Sequence, residues 1–186
     1  MRILSTAAAL AFLAGGLGAQ ERDREREQER GMSDTAGDPD KFFMHCAVQA
    51  NLAEISAGQL AVSRGQSQEV KDFGRMMVED HTQANKELAG VMKQKGVAVP
   101  SRADEGRQLM VMHLTRVRAE DFDREYIGCM VAEHAKAVAE FEGKSKTAKD
   151  PELKRWASKT LEGLKKHHEA AKELFDKLSG GPQGAK

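Results

Sequence analysis

Residues 67–91 read SQEVKDFGRMMVEDHTQANKELAGV, and their periodicity decides the fold. Val70, Phe73 or Gly74, Met77, Ala84, Leu88 and Val91 recur at three- and four-residue spacing, which places them on one face of a helix turned towards a core. His81 falls on the same stripe, near its middle. Ser67 supplies a capping hydroxyl at the start, and Lys95-Gly96 is a glycine stop at the end.

Working outward, the same punctuation recurs. Asp38-Pro39 puts a capping acid before a proline at the first helical position, and that helix runs to Gly65. Asp150-Pro151 repeats the signal for a last helix ending near Ser179-Gly180-Gly181, and a third long helix spans about Asp121 to Thr147. The chain holds only four prolines, so these helices run without interruption. Helices one and two are joined by two or three residues, as are three and four, so each pair is an antiparallel hairpin. The middle connection, Val97 to Glu120, is long and contains a shorter periodic stretch over about 104–117, with Leu109, Met110, Met112 and Leu114. At 1.5 Å per residue a helix of about 14 residues covers roughly 20 Å. That is enough for the connection to cross the length of a bundle and make helices two and three parallel. The expectation is an all-α fold, a ferritin-like antiparallel four-helix bundle over 39–179 with a short extra helix in the connection between helices 2 and 3; local return and up-down topology is the alternative. Cys46 and Cys129 discriminate: in the crossover they lie too far apart along the axis to bridge, roughly 20 Å by helical rise.

The ends of the chain read differently. Met1-Arg2, an apolar run from Ile3 to Leu17 and Gly18-Ala19-Gln20 form a basic start, a short apolar core and small residues, the pattern of a secretory leader cleaved near Ala19. The run is shorter than the about 20 apolar residues that span a bilayer. A secreted or periplasmic protein with no stable membrane insertion is therefore expected. Residues 20–38 alternate charge without an apolar face and are expected to be a charged flexible linker; 180–186 is expected to be a disordered tail. Lys+Arg and Asp+Glu both number 29, so no basic excess argues for nucleic acid as a partner. A homo-oligomer is compatible with this composition.

Four residues interrupt the stripes. Glu54 breaks the helix-one stripe of Phe43, Cys46 or Ala47, Ala50, Ala57 and Ala61. His81 breaks helix two. His134 breaks Asp123, Ile127, Met130, Ala137 and Phe141, and His167 breaks Leu153, Trp156, Thr160, Leu164, Ala171, Leu174 and Leu178. Counted from the tight turns, members of each hairpin pair differ by about one helical turn in height. One inward-facing ligand type per helix at a common level is how bundles build metal sites. One buried histidine alone is ordinarily a satisfied core residue, and a buried carboxylate needs a partner; the coincidence of all four favours a metal centre over a metal-free hydrogen-bonded core. Three imidazoles and one carboxylate suit a single transition-metal ion, zinc first, iron or copper next. Met77 and Met130 sit one turn before His81 and His134 and are read as core filling. Asp80 and Glu133 point off the stripe, either supporting a histidine or solvated; His45, His113 and His168 are read as incidental.

At these residues the chain resembles the domain of unknown function 4142 family of exported bacterial proteins, regarded as ferritin-like. The matching words are Asn51-Leu52-Ala53-Glu54-Ile55, Met77-Val78-Glu79-Asp80-His81-Thr82, Phe122-Asp123-Arg124-Glu125-Tyr126, Glu133-His134, Asp150-Pro151-Glu152-Leu153-Lys154, Thr160-Leu161 and His167. The resemblance covers about 40–178 and implies the fold more than an activity. Di-iron bundles carry Glu-x-x-His pairs, whereas the residues three before the histidines are Val78, Val131 and Leu164, so a mononuclear site matches better. The functional expectation is a metal-binding bundle in metal handling or stress protection. A metal-dependent oxidoreductase or hydrolase ranks lower, because no separate acid or base stands beside the four residues, and a metal-free interaction module is the third reading.

Overall fold

The computed structural model describes residues 37–180 together with Arg22, Arg26 and Thr35. The expected leader, most of the expected linker and the tail after Gly180 lie outside the described residues. Arg22 and Arg26 carry helical backbone and are exposed.

Four long helices and one short one follow: α1 (Pro39–Arg64), α2 (Gln68–Gln94), α3 (Glu105–Arg116), α4 (Phe122–Thr147) and α5 (Pro151–Leu178), with a 3-10 turn at Ala119–Asp121 before α4. Their starts are made by the expected residues. The Asp38 carboxylate accepts from the Asp40 and Lys41 amides, Asp150 from those of Glu152 and Leu153, and the Ser67 hydroxyl from that of Val70. Each occupies backbone donors that a helix start leaves without partners.

Two aspartates set the topology. Asp40, in the first turn of α1, accepts from the Lys149 and Asp150 amides at 2.7 and 2.9 Å, so the start of α1 lies against the α4–α5 turn. Asp123, in the first turn of α4, accepts from the Gln66 and Ser67 amides, both at 2.8 Å, so the start of α4 lies against the α1–α2 turn. Lys95, just past α2, pairs with Asp150 and Glu152 at the start of α5. With α1 and α5 running down, α2 and α4 both run up, and the connection between them crosses the bundle from top to bottom. Its helix α3 lies along α1 and ends where the Arg64 guanidinium donates to the Leu114 and Val117 carbonyls. Cys46 and Cys129 are free thiols, as this arrangement requires. Asp123, expected on the inward stripe, is buried but spends both oxygens on the turn.

The hairpin of α1 and α2 closes tightly on two glycines: a Cβ on Gly74 would fall 2.7 Å from the Ala61 Cβ and 2.8 Å from the Gly58 carbonyl oxygen. The core is split in two. An upper cluster gathers Met44, Val48, Leu88, Met92, Phe141, Leu153 and Trp156 among others. A lower cluster gathers Val70, Phe73, Met77, Phe122, Tyr126, Ile127 and Met130. Between them lies a layer of buried polar side chains: Asn51, Glu54, His81, His134 and His167.

Candidate metal centre

The polar layer follows from helical spacing. His81 comes four residues after Met77 and His134 four after Met130, both wholly buried, while His167 lies between Leu164 and Ala171, so each imidazole faces the axis with the core. Their ring centroids are 5.3 to 5.7 Å apart. One nitrogen from each ring lies within 4.8 Å of the other two, the one such group of three His, Cys, Asp or Glu among the described residues.

The hydrogen bonds decide which nitrogen of each ring keeps a free lone pair. His81 Nδ1 lies 3.0 Å from Asn51 Oδ1, His134 Nδ1 lies 3.0 Å from the Met130 carbonyl oxygen, and His167 Nε2 lies 2.8 Å from Asp80 Oδ2. Each acceptor can take only an N–H, so the outer nitrogen of each ring donates. The opposite nitrogens, His81 Nε2, His134 Nε2 and His167 Nδ1, are buried without a partner. Three lone pairs are thereby left inside one layer. Outward donation to an amide, a carbonyl and a carboxylate is how metal-binding imidazoles are oriented.

The rings are neutral at physiological pH. Burial, then repulsion from His134 and His167, holds His81 well below its ordinary range. Burial and the neighbouring His167 bring His134 down to about 4. His167 is also lowered by burial, against the opposing pull of Asp80, so its contact with Asp80 is a hydrogen bond from a neutral ring rather than an ion pair. Neutral imidazoles are the form a metal ion binds, and no proton need leave first.

The structure brings three of the four expected residues together. Glu54 lies in the same layer, 7% exposed, and lines the same cavity as His81 and His134, but falls outside the group of mutually close nitrogens. Burial and the Glu133 carboxylate push its carboxyl up to about 8, and Oε2 has no partner. The Tyr126 hydroxyl is likewise buried and unpartnered, raised by burial and by Glu54. Met77 and Met130 pack into the lower core cluster, as expected of gap fillers.

Two cavities border the layer. One, of about 60 Å³, lies between α1 and α4 and reaches Glu133, His134 and, from the crossing helix, Arg107. The other, of about 220 Å³, lies between α2 and α5 and reaches Asp80, Gly163 and His167; His81 lines both. Asp80, weighed from sequence as support for a histidine or as solvated, supports His167; the supporting role of Asn51 and the reach of Arg107 were not assigned from sequence. Asn51 carried a signal, being one helical turn before Glu54 on the same face. His45, read as incidental, is 1% exposed yet stands apart from the three rings, with burial lowering it and Gln49 as its hydrogen-bond partner. His113 is exposed, 3.7 Å from Glu125.

The family described as "Domain of unknown function (DUF4142)" matches residues 25–174, and the chain belongs to it. No curated protein and no solved structure matches. Among the described residues no helix is long and apolar enough to cross a membrane.

Proposed function

We propose that this chain is an exported metal-binding bundle that holds a single divalent transition-metal ion on His81 Nε2, His134 Nε2 and His167 Nδ1, with zinc as the preferred occupant over iron and copper. It serves metal handling or protection against metal stress rather than turnover. One observation carries the reading: each ring spends one N–H on a separate acceptor and keeps its other nitrogen without a partner, and the three rings bring one nitrogen each within 4.8 Å of the other two. Leaving three buried acceptors unmatched costs free energy that no contact inside the protein returns. An ion at about 2.0–2.1 Å from each nitrogen returns it, and closing the triangle from 4.8 Å requires side-chain shifts of about 1 Å. Hard-cation sites collect oxygen ligands, so three imidazoles argue against calcium or magnesium. The export assignment is supported by the leader pattern over 1–19.

The test is metal content after zinc supplementation and desalting of the mature protein, in wild type and in His134→Ala and His167→Ala. The reading requires one zinc per chain in wild type and none retained in either variant, with helicity unchanged by circular dichroism. Wild type that retains no metal means a metal-free polar layer.

A further inference from the structure

We infer that the ion's fourth position is kept for a small exogenous oxygen or nitrogen donor, a water, hydroxide or monoanion of a few atoms, held in the α1–α4 cavity between the histidines, Asn51 and Glu54. This rests on the metal reading above.

A fourth protein ligand on a tetrahedral ion would lie about 3.3–3.4 Å from each of the other three donor atoms. Glu54 does not meet even the looser 4.8 Å criterion that the imidazole nitrogens satisfy. Glu54 shares with two of the rings a cavity of about 60 Å³, lined by Asn51, Glu54, His81 and His134 among others. A water-sized ligand needs about 10–15 Å³ of such volume, so this one has room for several. Two of the lining side chains offer a polar atom with nothing to bond. Asn51 gives its oxygen to His81, which leaves its Nδ2 hydrogens buried and unpaired, and Glu54 Oε2 is in the same state. Both residues are more than nine-tenths buried, at 6% and 7% exposure. A donor and a carboxyl oxygen flanking two metal-binding nitrogens form a cradle for a ligand that coordinates on one side and hydrogen-bonds on the other. The other walls mix the short or apolar Ala50, Ala137 and Phe141 with the charged Arg107, Glu133, Lys136 and Glu140, and the volume of about 60 Å³ limits the occupant to a few heavy atoms.

Cobalt(II) provides the readout, because its visible absorption changes when a new ligand joins it, and azide is the probe anion. The full mature chain is loaded with one equivalent of cobalt and titrated with azide. Wild type is expected to bind one cobalt per chain and to respond saturably. Ala50→Phe, which fills the cavity without altering a histidine, is expected to keep the cobalt and weaken azide by at least about tenfold. Glu54→Ala is expected to keep the cobalt and to respond to azide saturably but more weakly than wild type, because one side of the cradle is gone. If Glu54→Ala responds to azide while wild type does not, the carboxylate itself fills the fourth position and the inference is overturned. An unresponsive wild type and an unimpaired Ala50→Phe each overturn it as well. Failure of wild type to bind cobalt or zinc at all sinks the metal reading instead, and is read from stoichiometry before any azide is added.

Discussion

Replacing Glu54 by glutamine removes one titrating proton from the centre of the bundle and little else, and its effect on stability can be worked out. In the metal-free protein the Glu54 carboxyl is pushed from an ordinary 4.5 up to about 8, first by burial and then by Glu133. Its folded-state value therefore lies above its unfolded value. Between the two the folded chain binds more protons, so Glu54's contribution is fully favourable below about pH 4.5 and is lost as pH rises through about 8. At about 1.36 kcal/mol per unit, the loss relative to an uncharged side chain is roughly 3 kcal/mol at pH 7 and between about 4 and 5 kcal/mol at pH 9. Glutamine has the same shape and no charge to desolvate. Whatever its amide gains or forfeits is independent of pH, so the diagnostic is the slope of the difference and not its absolute size. The histidines, lowered by burial, titrate with the opposite sign, but both proteins share them and they cancel. Urea unfolding followed by far-UV circular dichroism, in chelator and from about pH 5 to about pH 9, gives the two stability curves. The Glu54→Gln curve should rise relative to wild type by about 1 kcal/mol per pH unit through the neutral range. Two parallel curves would mean that Glu54 titrates normally, and the buried polar layer would have been misread.

Three further outcomes follow from the same geometry. Asp80→Asn keeps a hydrogen-bond acceptor for His167 but removes its charge, and should weaken zinc by about tenfold or more in a chelator competition; an unchanged affinity would leave Asp80 a solvated bystander. Gly74→Ala forces a methyl against Ala61 and the Gly58 carbonyl, and a loss of about 1–3 kcal/mol in thermal or urea unfolding is expected. In the metal-free protein His134 ionises near 4 when folded against an ordinary 6.5, so stability falls as pH drops below about 6.5 and His134→Gln should flatten that fall by up to roughly 3 kcal/mol. Steepening in the variant would contradict the burial of a neutral ring.

Much of this was legible before any coordinates. The caps at Asp38, Ser67 and Asp150, the prolines that follow two of them and the glycines after α1 and α2 are local signals, and local chemistry sets helix ends. The crossover was legible in a quantity as simple as the length of 97–120. The three histidines were legible because a helix converts spacing into direction, so His81, His134 and His167 could be placed inward and at one height without knowing their neighbours. What failed to read out were contacts between helices. Asp80 precedes His81 in sequence and was weighed as support for a histidine, yet it serves His167 on α5, because which side chain crosses to which helix depends on rotation and tilt that no single stripe encodes. Asn51 holds His81 for the same reason. Glu54 shows the limit most clearly: its inward face and layer were right, while its place outside the group of mutually close nitrogens is set by packing. Asp123 was misplaced for another reason, since a residue in the first turn of a helix can bend its carboxylate towards a neighbouring turn instead of the core.

The central claim is that three imidazoles, and no thiolate, hold one ion. X-ray absorption at the zinc edge of the loaded protein tests it most directly. The account predicts a first shell of nitrogen and oxygen at about 2.0–2.1 Å with the outer-ring scattering of three imidazoles and no sulfur. A sulfur shell at about 2.3 Å, which only Cys46, Cys129 or a methionine could supply, or a shell of oxygens without imidazole scattering, would contradict it.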